Sequence, residues 1–559
     1  MSDLQGARLR HDVTEIIARA DRLRSDRGTF EAHWQEIRDH IIPMAAAITR
    51  AETPGAKSHQ LVFDNSGESA HEMLAGALVG IMTPDTADWF TLRAMDERVN
   101  RDRDAAVWLE DCAARMLSVF RSPKGGFGTA QHEKYLDVSS FGTGAMFIAD
   151  RPGAGIRFTS VPLSQVLLAE DADGAVDTVF RDFTLTARLA VDRFGRDAGP
   201  KIQAAAAKER EQDKPFRFIH AVHPRTERDG SRGGRRNMAF ASIYVSVEDR
   251  TLMAEGGFHE MPYVTPRWLK RGDEVYGRGP GMKALADVKM LQRAMKVTIK
   301  GVEKIIDPPL LVADDGVLSP VRVTPSGINY YRAGTWSMDP IKPLMTGGRP
   351  DLGEEFMAGI RVRIEAAFFK PLIQMIRKDR MTATEVLQVA EEGQRILGPY
   401  LGRLKAEDVG PMVERVFAIM LRAGAFAPPP PALSGADLEI EYVSPAVRSQ
   451  RLGRARALGQ FSEITGPMTQ LDPTVHDNLD FDRAYRDTAD VLGLPKDWLR
   501  GQAEVAAIRQ QRQAAQAKAA QTQALTEGVD TAANAVRALP ALRQAFEPSG
   551  MTEGANANA

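Results

Sequence analysis

The chain has 559 residues, with 72 Lys and Arg against 74 Asp and Glu and a formal net charge of −2. That length allows several domains and a large core, while the balanced charge excludes a wholly basic nucleic-acid wrapper and an acidic tail protein. The single cysteine, Cys112, excludes an internal disulfide and a thiolate metal cluster, and reads as a small buried hydrophobe.

In chain order, residues 1–27 mix Arg with Asp and Glu and lack the apolar centre of a signal peptide. Residues 3 to about 42 read as helices of mixed charge, stopped by Pro43. A small-residue helix is expected over 64–82, with Ala and Gly positions that would allow close backbone packing, ended by Thr83-Pro84. Its Met73–Met82 stretch is the longest apolar run and is far too short to span a bilayer, so a soluble, cytoplasmic origin is expected. Trp89–Leu92 reads as a short strand, and helices resume at about 101–121 and 128–140.

From 142 to about 270 the period becomes that of strands. Ala145–Ala149, Val166–Ala169, Val176–Phe180, Phe216–His220 and Ser242–Val247 carry the signal. Asp171-Ala-Asp-Gly174 is a hairpin turn, because the later ligand positions of a calcium loop do not follow it. Ser231–Arg236 is a basic loop tip.

A long helix over 280–306 opens at Tyr276-Gly-Arg-Gly-Pro-Gly281 and ends at Asp307-Pro-Pro309. A β-like stretch follows in Leu310–Val312, Val321–Val323 and Ile328–Tyr331, then a helix over about 351–369 and a loop to 381. Thr382 and Glu385 form a capping box for the next helix, in which Pro399 and Pro411 predict a kink or break. Pro428–Pro431 is a stiff linker and Leu438–Val443 alternates as a strand. The remainder to about 527 reads as helical, finishing in an Ala/Gln/Arg-rich stretch, Gln502–Leu525, with little apolar surface to bury.

No catalytic signature accompanies this order. His71-Glu72, His132-Glu133 and His259-Glu260 lack the second His one turn on that a zinc protease helix needs. His220-x-x-His223 has no nearby third ligand, Gly55-Ala-Lys-Ser58 lacks phosphate-loop spacing, and Phe141-Gly-Thr-Gly144 reads as a tight turn. Neither a metal, a cofactor nor an enzyme is expected.

Two charge patterns remain. Lys289, Arg293, Lys296, Lys300 and Lys304 recur at spacings of 4, 3, 4 and 4, which lines one helical face. That stripe is either a solvated or salt-bridged face or a cationic strip near a DNA backbone. The segment 370–380 holds Lys370, Arg377, Lys378 and Arg380 against Asp379, beside Leu372, Ile373, Met375 and Ile376. Repeated around a ring, it would give a basic collar for non-specific phosphate contact without making the protein basic overall.

The ordered series of motifs resembles the portal, or head-to-tail connector, proteins of short-tailed bacteriophages. It runs through Phe30-x-x-x-Trp34-x-x-Ile37, Asp64-x-Ser66, Thr83-Pro84…Trp89-Phe90 and Ser140-Phe-Gly-Thr-Gly-Ala145. It continues with Tyr276-Gly-Arg-Gly-Pro280, Asp307-Pro-Pro309, Met381-Thr-Ala-Thr-Glu385, Leu397-Gly-Pro399…Arg403-Leu404…Glu407…Pro411 and Val443-Ser-Pro445. The tail after Gly501 departs from any fixed pattern.

The resemblance implies a mainly α fold with an α/β wing, assembled as a ring of about twelve subunits at one capsid vertex. It implies a wing over 1–275, stem helices over 276–306 and 351–369, and a small β-containing clip over 307–350. A tunnel loop over 370–381, a wing buttress helix over 382–427, a linker and crown over 428–500, and a helical tail over 501–559 complete the set. The implied function is a passive double-stranded DNA channel for genome packaging and ejection. The implied partners are a packaging ATPase (terminase), tail adaptor proteins, and capsid and scaffolding proteins, with no membrane. The implied location is the virion, after assembly in the host cytoplasm. A DNA-binding scaffold that forms no ring, and a hydrolase with an unfamiliar site, are the competing readings.

Overall fold

The computed structural model describes residues 2–53, 55–151, 153–225, 234–307, 310–312, 341–343, 350–376, 383–433, 438–442, 457, 459–461, 463–465, 480–492, 498–501 and 503–522. Its helices are α1 (Ser2–His40), α2 (Ser66–Met82), α3 (Glu97–Arg101), α4 (Arg103–Arg121), α5 (Phe127–Phe141), α6 (Ala187–Phe194), α7 (Pro200–Ala206), α8 (Pro280–Ile306), α9 (Pro350–Ala367), α10 (Lys370–Ile376), α11 (Ala383–Leu404), α12 (Gly410–Arg422) and α13 (Phe481–Leu492). The strands are β1 (Phe90–Ala94), β2 (Met146–Arg151), β3 (Gly155–Ser160), β4 (Val166–Glu170), β5 (Val176–Thr186), β6 (Pro215–Pro224), β7 (Phe240–Ser246), β8 (Thr251–Phe258), β9 (Tyr263–Val264), β10 (Leu310–Val312), β11 (Ile341–Pro343) and β12 (Leu438–Tyr442).

The chain divides into two compact units, one of Met1–Asn100 with Trp108–Gly453 and one of Arg101–Val107 with Arg454–Ala559. In the first, β4 to β8 form an antiparallel sheet in sequential order, and β3-β2-β9 form a smaller one. Alternation along β6 explains how the larger sheet is covered on both faces. Phe216 and Phe218 pack with Ala187, Ala190, Ile202 and Ala205 of α6 and α7. Ile219 and Ala221, one residue out of phase, pack with Val13, Ile16 and Ala20 of α1. The expected Asp171–Gly174 turn is present: Gly174 has φ +80°, and Asp171 accepts hydrogen bonds from the backbone N–H of Asp173 and Ala175.

Several expectations need correction. The all-strand reading of 142–270 omits α6 and α7, although Thr186 caps α6 and Pro200 opens α7. It also omits β3, β8 and β9. Of the α2 glycines only Gly67 is closely packed, a Cβ there lying 3.1 Å from the Val288 side chain; Gly76 and Gly80 face open space, while Ala70 and Ala75 are buried. The loop expected after 369 begins as a helix, because 370–376 form α10 and Ile373 is buried. Pro399 lies inside α11 without ending it; the change comes at a π-turn over Lys405–Val409, followed by Pro411 in the first turn of α12. The strand expected at 438–443 is β12, and it pairs antiparallel with β1, Leu92 opposite Ile440. The strands expected at 321–323 and 328–331, and the capping residue Thr382, lie outside the described residues.

The second unit contains α13 and a further helix over 503–522. Arg509 donates to both carboxylate oxygens of Asp482 at 2.6 and 2.7 Å. The 503–522 helix is exposed along most of its length, consistent with its Ala/Gln-rich composition.

Candidate functional site

The two glycine motifs singled out in the sequence meet in space at the root of α8. Gly142, with φ +90°, faces Gly277 and Gly279 so closely that a Cβ on any of the three would collide with backbone atoms of the opposing segment. A Cβ on Gly281 would stand 2.5 Å from the Ser140 carbonyl oxygen. The contact is hydrogen-bonded as well as close. Gly277 N–H donates to Thr143 Oγ1 at 2.7 Å, Trp268 N–H to the Gly142 carbonyl at 2.9 Å, and Arg278 N–H to the Leu269 carbonyl at 2.7 Å.

Aromatic packing fixes the same corner. Tyr276 lies 5.5 Å from Phe30 and 5.2 Å from Trp34 between ring centroids, and its hydroxyl accepts from Leu168 N–H at 3.0 Å. The Phe30-x-x-x-Trp34 motif on α1 thus holds the Tyr276 segment against the edge of the larger sheet. Burial pushes the Tyr276 phenol up to about 12, so it stays protonated.

Buried ion pairs join the π-turn between α11 and α12 to this root. Arg267 meets Glu407 at 2.8 Å and also pairs with Glu170. Lys134 on α5 pairs with Asp408, and both side chains are wholly buried, with Gln131 donating to the same carboxylate at 3.2 Å. Arg415 donates twice to the Ile148 carbonyl, at 3.0 and 3.1 Å. Of these groups, sequence reasoning named only Glu407, within the motif series from Leu397 to Pro411. Their signal was a charge in phase with an apolar face, as Lys134 is with Ala130, Gln131, Tyr135 and Val138 on α5.

Beyond the root, α8 and α9 run antiparallel, since Asp287 bonds Arg363 at 3.0 Å while Thr298 abuts Gly353. Leu285, Val288 and Leu291 of α8, and Met357, Ile360 and Ile364 of α9 with Phe368 just beyond it, are buried. Gln292 clamps the preceding loop over α8: its Oε1 accepts from Phe63 N–H at 2.6 Å and Asp64 N–H at 2.9 Å, and its Nε2 donates to the Asp64 carbonyl. Arg361 completes the clamp on Asp64 at 2.9 Å.

The outer faces of both helices remain apolar in part. Val297 is 63% exposed, Phe356 54%, Leu352 53% and Val362 63%, beside exposed Met290 and Ile306. Side chains of this size at such exposure mark a surface suited to association.

The basic stripe occupies an exposed face of α8. Lys289 pairs with Glu36 at 3.1 Å, and the Lys296 ammonium lies 5.6 Å from the Phe63 ring. Arg293, Lys300 and Lys304 are exposed and have no ion-pair partner among the described residues. Lys370 starts α10 and pairs with Glu365 at 2.5 Å, while Arg377, Lys378 and Arg380 lie outside the described residues. Within the chain, Glu354 pairs with Arg361 and Glu365 with Lys370.

The remaining candidates fall to structural roles. Cys112 is buried and its thiol is pushed up to about 12, chiefly by desolvation, so it carries no thiolate. His220 is buried between the Tyr263 and Ser242 hydroxyls at 2.8 and 3.0 Å. Among the described residues, no group of three or more His, Cys, Asp or Glu could hold a metal ion, and no helix is long and apolar enough to cross a membrane.

The sequence model for the family described as bacteriophage head to tail connecting protein matches residues 13–499. The probable portal protein of Bordetella phage BPP-1 is 30% identical over 529 residues, 93% of this chain and 94% of its own length. The portal protein of Salmonella phage epsilon15 is 29% identical over 551 residues, 97% and 98% of the two chains. A chain from the neck of an empty GTA particle overlaps 77% of this chain and 99% of its own at 13% identity and a TM-score of 0.34, a likeness that carries no structural argument. The chain therefore belongs to the family of bacteriophage head-to-tail connecting, or portal, proteins.

Proposed function

We propose that copies of this chain close into a ring at one capsid vertex and form the channel through which double-stranded DNA is packaged and later ejected. The observation that carries the ring is the uncovered apolar surface of α8 and α9. Met290, Val297, Leu352, Phe356 and Val362 sit on two helices already packed against each other, so a neighbouring copy is the natural cover. A wing would comprise 1–275 and the 382–427 buttress segment, with stems at 276–306 and 351–369 and a clip at 307–350. The 428–500 segment would lead to the crown, and 501–559 would form a short barrel or tail. The number of copies is taken as about twelve, by analogy with closed cyclic assemblies of this family.

The channel would act passively. Exposed Arg293, Lys296, Lys300 and Lys304 on the stem, with Arg377, Lys378 and Arg380 in the tunnel loop, would supply non-specific phosphate contact. Lys289 and Lys370 would contribute less, since each already has a carboxylate partner. Force would come from an external packaging ATPase docked at the clip, later replaced by tail adaptors, with capsid and scaffolding proteins around the wing. No step of this function calls for chemistry at the chain itself.

The test is the native mass of the purified protein, by mass photometry with negative-stain images. Rings of about twelve copies with a central hole are expected. A stable monomer or dimer at micromolar concentration would replace this reading with that of a DNA-binding scaffold.

A further inference from the structure

Between the smaller sheet and the face of the larger one formed by β5, β6 and β7 lies a cavity of about 490 Å³ that the channel function leaves unused. Its lining includes Phe147, Phe183, His220, Tyr244 and Tyr263 together with three arginines, Arg151, Arg181 and Arg193, and no carboxylate. The arginines come from separate elements: Arg151 from the end of β2, Arg181 from β5 and Arg193 from α6. None of the three has an ion-pair partner among the described residues, whereas other arginines of the same sheets, such as Arg217 and Arg225, are paired with Asp182 and Glu255. Three guanidiniums sharing a concave site with no counter-charge repel one another, and an anion relieves that repulsion.

The site is also held in place. Arg193 donates to the Tyr244 hydroxyl at 2.9 Å and its guanidinium lies 4.8 Å from that ring's centroid. Arg181 donates through Nε to Gln165 at 3.0 Å, which leaves its two terminal nitrogens unused and directs the fork. Below them, the His220 ring stacks on Tyr244 at 4.0 Å with an interplanar angle of 1°. Both nitrogens of His220 are engaged by hydroxyls, and burial together with the two nearby guanidiniums keeps its imidazole neutral. The floor is therefore uncharged and the rim cationic. Tyr244 accepts from Arg193, and no described acceptor takes its own hydroxyl proton, which is left to donate into the cavity.

We propose that this cavity binds a small phosphate-class anion, held by Arg181 and Arg193 with Tyr244 as a third donor and Arg151 at the mouth. A dianion suits a rim of three positive charges better than a carboxylate does, and tetrahedral oxygens accept from forks approaching along different directions. The volume exceeds that of the bare ion and matches small-molecule sites, so a phosphate carried on a compact planar body such as a nucleoside monophosphate also fits. The site is independent of ring formation, because all of its groups come from one copy.

Isothermal titration of the full-length protein with inorganic phosphate and with adenosine monophosphate, at matched ionic strength against chloride, tests it. Saturable binding of at least one of them is expected at one site per copy. Tighter binding of the nucleotide identifies the carried phosphate as the ligand; equal binding identifies the phosphate group alone. Arg193→Gln, at an exposed position, is expected to weaken binding about tenfold, and Tyr244→Phe by a smaller factor, with unchanged thermal unfolding in buffer without phosphate. Absence of saturable binding up to about ten millimolar, far above the affinity of a built three-donor site, overturns the proposal. So does binding that neither substitution alters, or binding of duplex DNA with neither small anion bound.

Discussion

Arg267 and Glu407 are 140 residues apart in the chain, yet Glu407 accepts from the Arg267 backbone N–H and Nε at 3.0 Å each and from Nη2 at 2.8 Å. The same guanidinium also pairs with Glu170 and donates to the Val275 and Gly174 carbonyls at 3.2 and 3.0 Å. One side chain therefore ties the π-turn, the β4–β5 hairpin and the segment leading into α8 to a single point. Its pairing with two carboxylates makes the burial of the charge tolerable, and also makes the loss of a partner costly.

Glu407→Gln leaves Arg267 buried beside one carboxylate fewer. The folded state is expected to lose about 3 kcal/mol, read from the shift of the urea unfolding midpoint. A change below about 0.5 kcal/mol would mean that Glu170 alone neutralises the guanidinium.

Lys134 and Asp408 make a sharper case, because neither side chain reaches water. Lys134→Met alone strands a buried carboxylate and is expected to cost about 3–5 kcal/mol. The double substitution Lys134→Met with Asp408→Leu removes both charges and should recover most of that loss in the same denaturation experiment. A double variant no better than the single one would assign the cost to packing instead of charge.

The glycines separate by environment. Gly142→Ala and Gly277→Ala force a Cβ into opposing backbone and are expected to destabilise the root of α8 by several kcal/mol, enough to prevent assembly. Gly76→Ala and Gly80→Ala, inside α2 with open space around them, are expected to stabilise by about 0.5–1 kcal/mol each. Thermal unfolding of the four variants decides both halves of the claim.

A pH dependence follows from His71. Its ring is wholly buried, and its Nε2–H donates to the Leu136 carbonyl at 2.9 Å. Desolvation is the main cause that lowers its pKa from 6.5 to about 4, assisted by His132 and opposed by the bond to Leu136. The unfolded chain takes up this proton first, so the contribution of His71 is intact above pH 6.5 and is lost as pH falls from there towards 4. The full loss is about 3 kcal/mol. Stability measured between pH 7 and 4 should fall less steeply in His71→Gln, which keeps a donor without a titrating ring.

The stem makes two separable predictions. Val297→Asp with Phe356→Asp places charge on the apolar faces and is expected to shift the native mass from rings to smaller species. Replacing Arg293, Lys296, Lys300 and Lys304 by Gln should leave rings intact while weakening duplex DNA binding roughly tenfold at low salt and flattening its salt dependence. Unaltered DNA binding by intact rings would remove the stripe from the channel.

The sequence by itself determined the order of elements and their type wherever a signal was local. The Pro280 start and Asp307 end of α8, the Asp171–Gly174 turn and the strands β4 to β7 depend on caps, turn residues and alternation that lie within a few positions of one another. The same local series of motifs carried the family. Tertiary structure alone decided which motifs meet. Gly142 touching Gly279, Glu407 reaching Arg267 and Arg193 turning towards Tyr244 are long-range contacts, with no periodicity to announce them. It also decided the state of the charges. Lys134 looks like any lysine of an amphipathic helix until Asp408 is placed opposite it, and Lys370 reads as an exposed loop cation until α10 turns it onto Glu365. A residue's charge is written in the chain, but its desolvation and its partner are fixed only when distant segments pack.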